Sequence, residues 1–212
     1  MTVKILVTGF EPFGPDNINP SWEIASALAR EYDARPDVRV VAALLPVRWE
    51  GFGPAAECAL SQHQPDAIVM LGQAGGRAAI TPERIGINVC NGKDNDGVER
   101  QEMPVVPGGP AGYFSSLPLR AIVDAMRKQG VPAEISNSAG TYLCNYAAYW
   151  VPHYLASRGI DIPAGFIHVP FLPEQVAGAD PPRSAPSMPL SLMITGVRAA
   201  IDVLARMMRG QG

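Results

Sequence analysis

Val3-Lys4-Ile5-Leu6-Val7-Thr8, closed by Gly9 and followed after a loop by Pro20-Ser21, sets the pattern for the whole chain. The run is rich in β-branched residues and reads as a strand. Ser21 is the expected cap of a helix that runs to the neighbourhood of Arg30. The same order then repeats. Arg39 to Leu45 reads as a strand, Gly53 to His63 as a helix, and Asp66 to Leu71 as a strand stopped by Gly72. Gly72-Gln73-Ala74-Gly75-Gly76-Arg77 is a loop, Ile85 to Val89 a further strand, and Asp94-Asn95-Asp96-Gly97 has turn chemistry. Leu117 to Gln129 reads as a helix ended by Gly130, and Ala133 to Ser136 as strand-like. A helix starts near Thr141 and runs towards Ser157, and Ala164 to Val169 is a short strand. Pro181, Pro182, Pro186 and Pro189 make Asp180 to Pro189 an irregular surface segment. Leu190, Met193, Ile194, Val197, Ile201 and Leu204 fall at helical spacing, so the last helix has a core stripe. Strands alternating with helices predict an α/β domain with a largely parallel sheet. The length of 212 residues, without repeat or low-complexity linker, predicts a single domain over 1–212.

The composition is that of a globular protein, with 47% apolar and 17% charged residues. The net charge is -3 and no block of like charges occurs, which points away from nucleic acid and from an anionic membrane as partner. No stretch is long and apolar enough to span a bilayer. The N-terminal apolar run is too short for a signal-peptide core and soon meets Glu11. The three cysteines are an odd number without metal-type spacing, so the expected location is a reducing cytoplasm, where a thiol stays free to act as nucleophile.

Open α/β sheets bind ligands at the carboxyl ends of their strands. That rule selects the loops after Thr8, Leu71, Ser136 and Val169. Cys58 sits inside a helix beside Ala and Leu, and Cys90 ends an apolar strand; both read as small buried hydrophobes. Cys144 follows the turn Ser138-Ala139-Gly140, in the first turn of a helix. There the helix dipole favours a thiolate, and unpaired backbone N–H groups can receive an oxyanion. On these grounds alone Cys144 is either a nucleophile or a core thiol.

A thiol nucleophile needs a base, and the chain has three histidines. His63 precedes a strand and belongs to the wrong end of the sheet. His153 lies nine residues beyond Cys144 on the same helix, a separation that turns the helix by about 900° and advances it by about 13.5 Å, so the two cannot meet. His168, near the carboxyl end of its strand, remains. Glu83, in Thr81-Pro82-Glu83-Arg84-Ile85-Gly86-Ile87-Asn88, is the candidate to orient the imidazole. Its alternative is an ion pair with Arg84. Asp66 and Asp180 are weaker candidates by position. No metal is expected, because neither a His-x-x-x-His nor a Cys-x-x-Cys pattern occurs. The loop Gly72 to Gly76 lacks the lysine of a phosphate-binding loop and the Rossmann glycine spacing.

Four segments together carry a family resemblance. Thr8-Gly9-Phe10-Glu11-Pro12-Phe13-Gly14 with Asn19-Pro20-Ser21-Trp22-Glu23 resembles the N-terminal signature of pyroglutamyl peptidase type I, also called pyrrolidone carboxyl peptidase. Gly72 to Arg77 through Glu83-Arg84 resembles the segment bearing that family's catalytic glutamate. Ser138 to Asn145 resembles the one with its cysteine, and Gly165 to Pro170 the one with its histidine. Ala185-Pro186-Ser187-Met188 fits as well. The resemblance implies a single-domain α/β/α sandwich with a largely parallel twisted central sheet, no cofactor, and commonly a homotetramer. It implies a cysteine peptidase acting on peptides with N-terminal pyroglutamate through Cys144, His168 and Glu83. Phe10 and Phe13 would wall the lactam pocket with Leu143 beneath, while Asn19 and the loop at Gln73 would meet the lactam's polar edge. Aromatic faces suit an uncharged ring better than an acidic amine site does. One departure stands out. Where the family usually has a longer stretch with an arginine near the site, this chain reads Val89-Cys90-Asn91-Gly92-Lys93, with Lys93 as the candidate substitute. Two other readings of such a scaffold are a non-catalytic binding module and a nucleoside or phosphosugar enzyme.

Overall fold

Along the chain the elements run β1 (Val3–Phe10), α1 (Pro20–Glu31), β2 (Val38–Leu45), α2 (Trp49–His63) and β3 (Ala67–Gln73). Five short strands follow: β4 (Thr81–Pro82), β5 (Ile85–Ile87), β6 (Cys90–Lys93), β7 (Glu99–Met103) and β8 (Gly112–Phe114). The chain then forms α3 (Leu119–Lys128), α4 (Leu143–Ser157), β9 (Ala164–Val169), α5 (Pro173–Ala177) and α6 (Leu190–Met208). The structure is a computed structural model that describes residues 2–181 and 183–210. Of the proline-rich segment, Pro182 lies outside the described residues.

The main sheet has the order β2-β1-β3-β9-β4. β2, β1, β3 and β9 are parallel, and β4 closes the edge antiparallel to β9. Side-chain alternation divides the interior in two. Ile5 and Val7 of β1, Val69 and Leu71 of β3, and Ile167 and Val169 of β9 pack against α1, α3 and α6. Leu6, Phe10, Ile68, Met70 and Phe166 point to the other face and pack against α2 and α4. The result is the expected α/β/α sandwich. Of the expected α6 stripe, Met193, Val197, Ile201 and Leu204 are fully buried, Leu190 and Ile194 are half-buried, and Ala200 joins the buried side. Each large aliphatic side chain buried in this way stabilises the fold by about 1.5–3 kcal/mol.

From β1 the chain moves outward to β2 and then returns to the other side of β1 with β3. The carboxyl ends of β1 and β3 therefore flank the point where the winding reverses, which is where such sheets form a crevice.

Several boundaries differ from those read in the sequence. The cap of α1 is Asn19, whose side chain accepts from the Ser21 backbone, with Pro20 at the first helical position. Ser21 instead donates its hydroxyl to Asn19 and accepts from the Phe10 backbone N–H at 2.9 Å. α2 starts at Trp49 rather than Gly53, because Asp94 Oδ2 accepts from the Trp49 N–H at 2.9 Å and fixes the helix start from a distant loop. The strand expected over Ile85 to Val89 stops at Ile87 and pairs with β8 outside the main sheet. Ala133 to Ser136 is not a strand of its own; it forms single parallel bridges, Ile80 to Ala133 and Glu83 to Ser136.

Candidate active site

Strand parity brings the site together. His168 shares a face of β9 with Phe166, the face that looks at α4. Gly72 of β3 pairs with His168 in register, and Thr81 of β4 pairs with it from the other side. The Glu83 N–H donates to the Phe166 carbonyl at 2.8 Å, so Glu83 leaves the sheet edge beside His168. His168 Nδ1 lies 2.7 Å from Glu83 Oε1. Both residues are buried, with Glu83 only 1% exposed.

Cys144 is the second residue of α4. Its thiol points at Gly72, where a Cβ would lie 2.9 Å from the sulfur and 2.5 Å from Phe166 Cζ. The thiol thus meets a position without a side chain, on the strand residue that pairs with His168. Among the described residues thiol and imidazole share no hydrogen bond. Tyr142 caps α4 without a side-chain hydrogen bond, so the first-turn N–H groups beside Cys144 remain available as donors. Asn145, fully buried, holds the distant Ile87 to Val89 segment against α4: it accepts from the Ile87 N–H and donates to the Ile87 and Val89 carbonyls.

Charge within the site follows from burial. Desolvation favours the neutral carboxyl of Glu83. Hydrogen bonding and charge from His168, with help from Ser136 and Arg77, outweigh it and hold Glu83 below the usual carboxylate range. Burial pushes the Cys144 thiol up to about 12, and the Glu83 charge adds to this. Burial likewise pushes His168 down, against the pull of Glu83. The resting site therefore holds an ionised carboxylate, a neutral imidazole and a neutral thiol. The sequence-based expectation that the helix dipole favours a resting thiolate is overturned by desolvation.

The same shifts set a pH window for stability. The neutral His168 of the folded state contributes fully above the ordinary value of 6.5 and is penalised as pH falls. Glu83 acts in the same direction below 4.5. The neutral Cys144 thiol contributes fully below 9.0 and loses its contribution as pH rises towards about 12, because the unfolded thiol ionises first. Melting temperature is expected to fall on both sides of the window from 6.5 to 9.0. In Cys144→Ala the alkaline fall is expected to be shallower, and identical alkaline slopes in the two proteins would contradict the assignment.

Gly72 was read in the sequence only as a strand stop. It lies inside β3, and its missing side chain is what admits the Cys144 sulfur. Gly72→Ala must displace Phe166 or the Cys144 sulfur, an overpacking that costs about 1–3 kcal/mol. The kcat is expected to drop by about tenfold to a hundredfold, since a shift of this size misaligns the reacting groups. An unchanged kcat in a folded variant would show that the sulfur does not need this space.

The remaining candidates are placed as follows. Phe10 is buried and stacks near Phe52 and Phe166, with ring centroids at 6.0 and 6.4 Å. Leu143 is buried beside it in the same cluster. Phe13 is half-buried and faces the Tyr142 ring at 6.3 Å. These two rings, with Gly14, Asn91, Lys93 and Asp94, line an open cleft of about 630 Å³ next to the start of α4. The Asn19 carboxamide donates to the Glu11 carbonyl and accepts twice from Ser21, which leaves one N–H without a partner among the described residues. The Gln73 side chain projects to the α1 face, where its Oε1 accepts from Gln175 at 2.8 Å. Gln175 is a buried link that the sequence reading missed.

Lys93 is exposed at the end of β6. Its link to the site runs through its backbone carbonyl, which accepts from the Tyr142 hydroxyl at 2.8 Å. The cation that reaches the candidate triad is Arg77, with Nη1 2.6 Å from Glu83 Oε1. Arg84, the alternative partner read from the sequence, points elsewhere and donates to Asn137.

Comparison with known proteins gives a consistent picture. A family model described as pyroglutamyl peptidase matches residues 3–207. The pyrrolidone-carboxylate peptidase of Streptomyces coelicolor is 45% identical over 96% of this chain and 92% of its own length. That of Thermococcus kodakarensis is 43% identical over 95% of this chain and 96% of its own length. The crystal structure of pyroglutamyl peptidase I from Bacillus amyloliquefaciens superposes with a TM-score of 0.90 at 37% identity, covering 97% of this chain and 96% of the other. A mutant pyrrolidone carboxyl peptidase of Pyrococcus furiosus gives 0.92 at 39% identity, covering 97% of this chain and 100% of the other.

Proposed function

This chain belongs to the pyroglutamyl peptidase family, and from that premise we propose that Cys144 is its nucleophile, His168 its general acid and base, and Glu83 the carboxylate that orients the imidazole. The protein is a cysteine peptidase that removes N-terminal pyroglutamate. The observation that carries the assignment of residues is the 2.7 Å contact of His168 with ionised Glu83, at the sheet end where the Cys144 thiol meets Gly72.

The ionised Glu83 Oε1 accepts the Nδ1–H of His168, which leaves Nε2 unprotonated as the base. With substrate in place, Nε2 takes the thiol proton and the sulfur attacks the pyroglutamyl carbonyl. Glu83 stabilises the imidazolium, and N–H groups of the α4 first turn receive the oxyanion. The imidazolium then protonates the leaving amine and a thioester forms. His168 next deprotonates water, which releases pyroglutamate and restores the thiol. A neutral resting thiol is protected from stray oxidation and becomes a nucleophile only when the imidazole can take its proton.

The ring pocket in this reading is walled by Phe10, Phe13 and Leu143. Its polar edge is met by Asn19, which has one N–H without a partner among the described residues, and by the loop at Gln73. The reading extends to a homotetramer in the cytoplasm, supported by the family resemblance. The three free thiols, Cys58, Cys90 and Cys144, fit a reducing compartment. No described helix is long and apolar enough to cross a membrane. Chromatography of a peptide pair tests the ring requirement. A peptide starting with pyroglutamate should be cleaved after that residue, and the same peptide starting with glutamine should survive. Equal cleavage of both would refute the lactam pocket.

A further inference from the structure

Arg77 follows Gly75-Gly76 in the turn after β3, where both glycines are needed. A Cβ on Gly75 would lie 2.2 Å from the Phe171 ring, and Gly76 has φ +89°. The turn brings the guanidinium back over Glu83. Nη1 donates to Glu83 Oε1 at 2.6 Å and also to Thr81 Oγ1, the residue paired with His168 across the sheet edge. Nη2 donates to the Ser138 carbonyl at 3.1 Å, in the turn that leads into α4 and Cys144. One planar fork thus ties together the carboxylate, the strand beside the base and the nucleophile's turn.

We propose that Arg77 is a positioning residue of this active site: it neutralises Glu83 as felt by the thiol and fixes the turn that delivers Cys144. The proposal rests on the assignment of Cys144, His168 and Glu83 made above. Its physical basis is a charge balance. When the proton passes from thiol to imidazole, the pair stays neutral overall, but a buried carboxylate 2.7 Å from the imidazole would leave the site with a net negative charge beside a forming thiolate. Arg77 brings the sum to zero. Glu83 Oε2 is buried and has no hydrogen-bond partner among the described residues, and the two cationic or ionisable groups that meet this carboxylate, His168 and Arg77, both do so at Oε1. The charge effects agree: Glu83 opposes ionisation of Cys144, and Arg77 favours it.

The test uses a Cys58→Ser background, because Cys58 is exposed and would itself be alkylated, whereas Cys90 is buried. Turnover of a pyroglutamyl-aminocoumarin amide and the pH dependence of iodoacetamide alkylation are measured for this protein and for Arg77→Met and Arg77→Lys. In Arg77→Met, kcat should fall by about tenfold or more with KM little changed, and alkylation should shift to higher pH. Arg77→Lys should bring the alkylation profile back towards that of the parent, since charge returns, while kcat recovers only in part without the planar fork. Parent-like kcat in either variant would overturn the proposal. So would a fall in kcat in Arg77→Met with an unmoved alkylation profile, which would mark a purely structural role. Should Arg77→Met not fold, Arg77→Gln takes its place, with the same supporting and contrary outcomes. A parent protein without turnover would refute the peptidase reading instead, and the alkylation profiles would still report on Arg77.

Discussion

Cys144→Ala is expected to lose turnover by about 10⁴-fold or more while keeping its fold, because no other group in the site can form the acyl intermediate. The other two thiols are not substitutes. Cys58, read from the sequence as a buried hydrophobe, is instead exposed on α2, and Cys90 is buried where β6 meets β7. The substitution removes one sulfur atom from a position hemmed in by Gly72 and Phe166. The cavity is small, so stability should change by about 1 kcal/mol or less. Circular dichroism, a thermal melt near neutral pH and an assay with aminocoumarin substrate suffice to check this. A folded Cys144→Ala protein with substantial turnover would remove the nucleophile from the account.

His168→Ala carries the second large effect, a fall in kcat of about 10³-fold or more. The thiol is neutral at rest, with its pKa pushed up to about 12, so without the imidazole nothing takes its proton at neutral pH. Glu83→Gln should cost less than His168→Ala, because the base remains and only its orientation and the stabilisation of the imidazolium are lost. An amide oxygen at position 83 can still accept from Arg77 and from His168 Nδ1–H, which keeps Nε2 free as the base. The decisive measurement is the ratio of the two kcat values on one substrate. A larger loss in Glu83→Gln than in His168→Ala would mean that the carboxylate does more than orient the ring.

What could be read from the sequence, and what could not, follows a physical division. β1, β3 and β9 are almost continuous apolar runs, and α6 has a stripe of period near four, so their burial is written into the pattern. The carboxyl ends of these strands then place His168, and the start of α4 places Cys144. The stretch from Thr81 to Phe114 was hardly legible. Its strands have two to five residues, and Glu99–Met103 shows no apolar alternation at all. Distant contacts hold this stretch, such as the three hydrogen bonds of Asn145. The cap of α1 was within reach, since Asn19-Pro20 is a stronger start signal than Ser21. The partner of Glu83 was within reach too. Neighbouring residues on extended backbone point to opposite faces, so Arg84 could not share the side of Glu83. Arg77 needed the turn at Gly75-Gly76 to be known. The neutral state of the thiol depends on burial from several elements, and local sequence carries no record of it.

The central claim is that a pyroglutamyl thioester forms on Cys144. Acid quenching during the first turnovers, followed by intact-mass analysis and peptide mapping, tests it directly. The account predicts one added pyroglutamyl group, located on the peptide that contains Cys144 and absent from Cys144→Ser. Turnover that proceeds with no adduct, or with an adduct on another residue, would contradict it.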